Sequence, residues 1–494
     1  MLKVGKVGTE FRVNTQVANG STGASYPAIT RLANGGFVAT WMDYSGTLGD
    51  SDGSSVKAQV FGVGGIQLGG EFLVNTTTAS FQGLPSITDL VGGEFVVTWT
   101  DSSGMLGDSS ESGIKAQLFG ANGSKLGSEF LVNTQTAGVQ NGSAVARLAN
   151  GGFVVTWEDD DYGGKVFDPN GKSIRAQVYT AAGVKVGPEL LVNTQTIDFQ
   201  QNPTVTGLVK GGFVVAWVDG SRTLGDSDGS SIKAQLFTSG GVKVGTEFLV
   251  NTEVAGGQGD PEIASLTNGG FVVTWYDSSG TLGDGEVSSI KAQVFTAEGT
   301  KAGPEFLVNT QTANGQYSPT INGLTSGGFV ITWRDLSGTL GDSDVTSIKA
   351  QVFSENGAKV SSEFLVNTFT AQAQFNSTVT GLSNGDFVVT WNDYSGSLAG
   401  GTPGTKAQIF TLADQPGSPV ITSVRNDFNG DGRSDILWRN TNGQLSNWLG
   451  GTNGALTDNG GVVKQLVPVS WKIQGTADFN GDGRSDILWR NVNG

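Results

Sequence analysis

This 494-residue chain predicts an all-β fold: a seven-bladed β-propeller of four-stranded blades, closed by its N-terminal strand, with a partial segment of a second kind of β-repeat at the C-terminal end. Three observations carry the propeller. A unit of about 58 residues recurs seven times. Each unit offers four short strand-like segments separated by Gly, Asn, Asp and Ser turns. The chain also enters its first unit part-way through, in register with the piece that its last unit lacks.

The period is read from an EF-L-VNT segment, whose asparagine falls at Asn14, Asn75, Asn133, Asn193, Asn251, Asn309 and Asn367. A GGFVVTW-like run ends at Trp41, Trp99, Trp157, Trp217, Trp275, Trp333 and Trp391, and a SIKAQxF run follows each. Four strands per unit and seven units give a propeller, in which radial stacking hides both faces of every sheet. An open solenoid or a row of sandwiches would share the repeat. The ends favour closure: Lys6–Thr15 (KVGTEFRVNT) matches Lys243–Thr252 (KVGTEFLVNT), and the seventh unit stops after KAQIF at Phe410. If each blade runs from axis to rim as PxI, GFVVTW, IKAQxF and EFLVNT, the first EFRVNT becomes the outer strand of the last blade. The expected division is a propeller at 1–411, a linker at 412–420 carrying DQPGSP, and two tail repeats at 421–494.

Within a unit, Phe213, Val215 and Trp217 alternate with Val214 and Ala216, so both faces of that strand are apolar and both should be buried. The next strand alternates Ile232, Ala234 and Leu236 with Lys233, Gln235 and Phe237, which predicts one wetter face. The Asn of VNT and the Gln of KAQ recur in every unit, and the expected role is a side-chain hydrogen bond between strands or blades. The Trp that ends GFVVTW is expected in the core between blades.

Composition narrows the chemistry. A net charge of −16 and a pI near 4.5 argue against a nucleic-acid partner. The chain has no His and no Cys, which removes a Ser–His–Asp triad, a thiol nucleophile and any N- or S-ligated metal. Oxygen-ligated Ca²⁺, Mg²⁺ or Mn²⁺ remains. No stretch is long and apolar enough for a membrane span, residues 1–20 lack the apolar segment of a signal peptide, and a monomer is expected.

The sharpest motif is DFNGDGRSDILWRN, at Asp427–Asn440 and again at Asp478–Asn491. Asp427, Asn429, Asp431 and Asp435 place oxygen donors at positions 1, 3, 5 and 9, and the carbonyl of Arg433 can add another. Asp478, Asn480, Asp482, Arg484 and Asp486 repeat the set. This donor pattern suits Ca²⁺, which takes six to eight oxygens. A weaker candidate is the loop TLGDSDGSS at Thr47–Ser55 and Thr223–Ser231, with Asp50, Asp52, Asp226, Asp228 and, in a sister loop, Asp342 and Asp344. Against metal stands a hairpin whose Asp and Ser side chains cap backbone amides. Unit three breaks the pattern with Asp159, Asp160 and Asp161, the place where a carboxylate-based polysaccharide-active enzyme would keep its acids.

The tail motif resembles the FG-GAP/VCBS repeats of integrin-like and bacterial surface proteins, in which this loop binds Ca²⁺. The seven larger units, as in QNPTV, GGFVVAW, SIKAQLF and EFLVNT of unit four, resemble repeats of large secreted bacterial proteins of the haemolysin-type calcium-binding and cadherin-containing kind. They depart from it in a longer loop carrying LGDSD and in Lys before AQ. The resemblance implies an extracellular or cell-surface location and adhesion or binding of a glycan, matrix component or protein partner, with no defined catalytic residues. A structural spacer of a larger adhesin is the remaining alternative. The second tail copy stops at Gly494 where the first runs on, so a longer parent chain is expected.

Overall fold

The computed structural model describes residues 2–15, 23–108, 111–160, 171–226, 228–283, 285, 288–342, 344, 346–396 and 403–413, together with the backbone of five strand segments in the tail. The chain divides into two compact units, Met1–Ala413 and Asp414–Gly494. No helix among the described residues is long and apolar enough to cross a membrane.

The first unit is a ring of seven four-stranded antiparallel sheets. Blade 1 runs outward from the axis as Ala24–Arg31, Phe37–Asp43, Ser55–Phe61 and Gln67–Leu73. Blades 2 to 6 repeat the order. Blade 7 takes Gln374–Gly381, Phe387–Asp393 and Gly404–Ala413 from the end of the unit and its outer strand, Lys3–Arg12, from the beginning. The closing register pairs Lys6 with Phe410 and Arg12 with Lys406. The offset of the first EFRVNT segment therefore closes the ring.

Seven apolar clusters fill the seven gaps between blades. Between blades 4 and 5, Val214, Ala216 and Val218 of one sheet meet Phe271, Val273 and Trp275 of the next. Period-two alternation sends Phe, Val and Trp to one neighbour and the smaller residues to the other, so each FVVTW strand serves two cores. The cluster between blades 7 and 1 joins Val388 and Ile409 to Phe37 and Trp41, as the others do. All seven of these tryptophans are fully buried.

The third strand has no wetter face. Lys233 and Gln235 are 0% exposed, like their neighbours. Gln235 donates to the carbonyl oxygens of Leu236 (3.0 Å) and of Val244 on the outer strand (3.1 Å), and so ties strand to strand as expected. The lysine is held by the loop described below.

Each inner strand carries a bulge, visible as a register shift two to three residues into its pairing. The bulged residue has positive φ: Tyr26, Leu84, Gly142, Asn202, Asp260, Ser318 and Asn376, at 45° to 60°. Six of the seven are not glycine, and five precede a proline. Such a backbone costs roughly 1–3 kcal/mol per non-Gly residue and persists where its surroundings hold it. It re-aims the side chain beside the axis.

Candidate functional site

The acidic loops hold a cation, and it is the protein's own. In blade 4, Lys233 Nζ lies 2.8 Å from Asp219 Oδ1 and donates to Ser221 Oγ (2.8 Å) and Thr223 Oγ1 (2.6 Å). Blade 1 repeats the cage with Lys57, Asp43, Ser45 and Thr47, each contact 2.6 Å. Lys291 and Lys349 sit in the same oxygens of blades 5 and 6. The D-x-S-x-T opening of the loop thus satisfies an ammonium delivered by IKAQ on the next strand, as a buried charge requires.

The LGDSD half is occupied by protein amides. Asp50, Asp226 and Asp342 each accept from the VNT asparagine of their blade, Asn75 (2.8 Å), Asn251 (3.1 Å) and Asn367 (3.1 Å). Burial pushes these three carboxyls above their ordinary range, and the asparagine bond offsets part of the shift. Asp52, Asp228 and Asp344 accept from the backbone of the link into the next blade, at Ser80 N (3.1 Å), Gly256 N (3.2 Å) and Gln372 N (2.7 Å). Each VNT asparagine is a junction as well: Asn75 Oδ1 accepts from Val56 N (2.9 Å) while its amide donates to Asp50 and to the Thr77 carbonyl (2.8 Å).

Blade 3, which lacks S-x-T, replaces the lysine with Arg175, bonded to Asp159 Oδ2 at 3.1 Å. Asp159 also accepts from Gln140 Nε2 (2.9 Å), and Asp160 is half-buried at the strand end. Asp161 lies outside the described residues. No group of three or more acidic side chains that could hold a metal occurs among the described residues. In the tail, Asp427, Asn429, Asp431, Arg433, Asp435, Asp478, Asn480, Asp482 and Arg484 also lie outside the described residues, and Asp486 opens the strand Asp486–Asn491.

One contact not singled out in the sequence links every pair of blades. The Glu of each EFLVNT segment accepts from the backbone of VNT in the preceding blade: Glu129 from Thr76 N (2.6 Å), Glu247 from Thr194 N (2.5 Å) and Glu363 from Thr310 N (2.5 Å). Glu10 does the same to Thr368 N (2.8 Å) across the joint of the ring.

The place where the seven units stop being alike is the axis. Ile29, Ile87, Val145, Val205, Ile263, Ile321 and Val379 point into the axial channel and form a near-uniform apolar girdle, each 5–8% exposed. On either side of it the channel widens into a cavity, one of about 590 Å³ and one of about 490 Å³. The larger is the mouth on the side of the acidic loops, because the inner strand begins there, at Ala24 opposite Asp43. Its walls include the bulged residues, six types in seven blades: Tyr26, Leu84, Gly142, Asn202, Asp260, Ser318 and Asn376. The residue after each core Trp belongs to the same end of its blade, and there the chain reads Met42, Thr100, Glu158, Val218, Tyr276, Arg334 and Asn392, seven types in seven units. The smaller cavity is lined by Arg31, Asp89 and Arg147 among small residues, with Arg147 Nη1 2.8 Å from Asp89 Oδ2.

Two carboxylates stand in the wall of the larger mouth. Asp260 accepts from Asn202 Nδ2 (3.3 Å) and Glu262 from Thr204 Oγ1 (3.2 Å). Burial pushes Glu262 up to about 7, with the Thr204 bond opposing and the charge of Asp260 adding to the shift. Burial raises Asp260 as well. The sequence carried a signal for this site: the residue at the bulge takes six types in seven units, while the Pro or Ser after it and the Ile or Val two residues further on stay alike.

Residues 427–489 match the family described as FG-GAP-like repeat. No curated protein matches the chain. Among solved structures, a Dyadobacter fermentans protein of unknown function is similar at 12% identity and TM-score 0.46, covering 83% of this chain and 99% of that one. An α-L-arabinofuranosidase of Fusarium graminearum is similar at 13% identity and TM-score 0.45, covering 70% and 98%. The NanB sialidase of Streptococcus pneumoniae is similar at 9% identity and TM-score 0.44, covering 83% and 71%. Likeness at this level carries no inference about activity.

Proposed function

We propose that the chain is a saccharide-binding propeller module of an extracellular protein, with its ligand seated in the larger axial mouth and Ca²⁺ held by the loops of its tail. The observation that supports the binding reading is the divergence at that mouth. Strands, clasps, cages and turns repeat because each blade needs the same ones. Six residue types at seven equivalent positions around one opening give a sevenfold scaffold a single asymmetric surface, which an asymmetric ligand requires. The mouth combines apolar walls, amides, hydroxyls and carboxylates, the mixture found in small-molecule sites. Sugar rings suit it, with C–H faces for apolar and aromatic surface and hydroxyls for the polar groups.

Affinity electrophoresis through gels carrying soluble polysaccharides is the test. Retardation by at least one polysaccharide is expected, and unchanged mobility with every one of a broad set of glucans, xylans, mannans and arabinans would refute the reading.

For the tail, the donor set of two D-x-N-x-D-G-x-x-D loops fits a hard cation, with Asp427, Asn429, Asp431 and Asp435 in one and Asp478, Asn480, Asp482 and Asp486 in the other. Binding to the folded state alone adds about 2.7 kcal/mol at a hundredfold excess over Kd. The expected result is a tail transition that moves up with millimolar Ca²⁺, returns with chelator, and stays put in the Asp431→Asn, Asp482→Asn double variant. Indifference of every transition to Ca²⁺ would dispose of the metal.

A further inference from the structure

The reading of the larger mouth as a saccharide site is the footing for a narrower one. We infer that a neutral sugar ring seats at the rim of that mouth, at the junction of blades 5 and 6, stacked on Tyr276 and Tyr317, which stand outside the cavity lining, with its hydroxyls donating to Asp260 and Glu262 of the wall.

The two tyrosines come from adjacent blades and meet edge to face, ring centroids 6.2 Å apart at 61°. Both lie on glycine backbone. A Cβ on Gly259 would fall 2.5 Å from the Tyr276 ring, and one on Gly315 would fall 2.4 Å from the Tyr317 ring. The absent side chains let the rings lie close on the main chain, which fixes their attitude before any ligand arrives; each ring is left half-buried. Pre-set aromatic surface binds at little entropic cost. Tyr276 holds the position after the core Trp, where no other blade has an aromatic residue. The other blades place Ser25, Gly83, Asn141, Gln201, Gly259 and Phe375 where blade 6 has Tyr317, so two aromatic rings meet across a blade junction at this position pair in one of seven places.

Asp260 lies next to that platform, and Glu262 follows two residues along the same inner strand. The hydroxyl of Tyr276 is pushed up first by burial and then by the charge of Asp260, which places the acid within electrostatic reach of the ring. The donors to Asp260 and Glu262, Asn202 and Thr204, are neutral. A carboxylate offers about four lone-pair sites, so both retain acceptor capacity toward the cavity. Acceptors without a compensating cation favour hydroxyl donors and disfavour a carboxylate on the ligand, which would meet the charge of Asp260 and, above about pH 7, that of Glu262 as well. The class is therefore a neutral saccharide rather than a uronate.

Calorimetric titration of the full chain with cellohexaose, xylohexaose, mannohexaose, arabinohexaose and a trigalacturonate tests the assignment, on wild type and on Tyr276→Ala, Tyr317→Ala, Tyr276→Phe and, as control, Val242→Ala, an exposed residue outside both cavities. One neutral hexasaccharide should bind and trigalacturonate should not. Tyr276→Ala and Tyr317→Ala should each weaken binding about tenfold, the loss of roughly 1.4 kcal/mol that an aromatic contact supplies, while Tyr276→Phe, which keeps the ring, and Val242→Ala leave it within about twofold. Wild-type binding that Tyr276→Ala and Tyr317→Ala leave unchanged would overturn the subsite and leave the broader function standing. Tighter binding of the uronate would overturn the neutral class. Silence of the wild type toward all five sugars would count against the function itself and the subsite with it. A far-ultraviolet melt within a few degrees of wild type certifies that each variant folds.

Discussion

Replacing Lys233 with Met destabilises the propeller by about 3–5 kcal/mol, the usual consequence of removing one partner of a buried ion pair. The side chain of Lys233 and that of Asp219 are both 0% exposed. The ammonium is surrounded by Asp219, Ser221 and Thr223, with Glu247 Oε1 3.8 Å away. Methionine matches the length of the stem but leaves Asp219 as a carboxylate with no cation in a site that water does not reach. Asp219 then has only Ser221 to satisfy it. The double variant Lys233→Met, Asp219→Asn removes the stranded charge and should recover more than half of the loss, because a neutral amide costs far less to bury than an ion. Chemical denaturation of the single and double variants measures both numbers. A single variant as stable as wild type, or a double variant no better than the single, would show that the cage does not hold the charge as its geometry indicates. Lys3, an exposed residue of the closing strand, is the control, and its substitution should stay within about 0.5 kcal/mol.

The same cage shows what the sequence could and could not disclose. Lysine in an alternating strand reads as the solvent face, since lysines are seldom buried. The residues that make its burial tolerable lie on a different segment, in the D-x-S-x-T start of the hairpin loop. The coupling was nevertheless written in the repeats: unit three alone lacks the serine two residues after the loop's first Asp, and it alone has an arginine, Arg175, where the others have Lys. The acids of TLGDSDGSS invited a metal reading because pattern shows carboxylate spacing without showing donors. Asn75, at the end of the same blade, and Ser80 N, in the link to the next, lie 25 and 28 residues downstream of Asp50 and Asp52 and supply those donors only once the blade and its link have folded.

Fold and site differ in legibility for a physical reason. Blade number, strand order and closure depend on period, alternation and the offset of the ends, all properties of one dimension. The Glu clasps join residues about 53 positions apart, as Glu129 joins Thr76, and take their meaning from the neighbouring blade. The axial mouth is harder still, since its wall gathers single residues from inner strands spread over the whole ring. Asp260 and Glu262 look like surface acids next to a proline. Curvature of seven inner strands around one axis brings them to the channel, and burial there raises both.

Deleting residues 1–15 should cost the ring its cooperative fold, the largest effect expected here. The segment supplies the whole outer strand of blade 7. It also brings Val13 and Asn14, both fully buried, and Phe11, whose ring lies 5.7 Å from that of Phe61 in blade 1. Asn14 Oδ1 accepts from Thr405 N at 2.8 Å, and Glu10 holds both Lys406 (2.6 Å) and Thr368 N. Without the strand, the third strand of blade 7 becomes an open edge, and the Lys406–Asp393 pair loses the carboxylate that shares its charge. Burial, hydrogen bonding and charge pairing fail together at one joint. A loss of more than about 5 kcal/mol follows from the buried-pair and apolar contributions alone. In a closed ring, a breach at blade 7 also uncovers the face of blade 1 that carries Phe37 and Trp41, so destabilisation spreads to both neighbours. The truncated protein should unfold at markedly lower denaturant and in a broader transition. A synthetic peptide of residues 1–15 should restore the transition in a concentration-dependent way, because the joint is made by strand pairing and not by chain continuity. The point variant Glu10→Gln should show a smaller loss, about 1–3 kcal/mol, from the clasp alone. A truncated protein that melts with wild type would mean that the ring does not need its first strand, and the account of closure would fall.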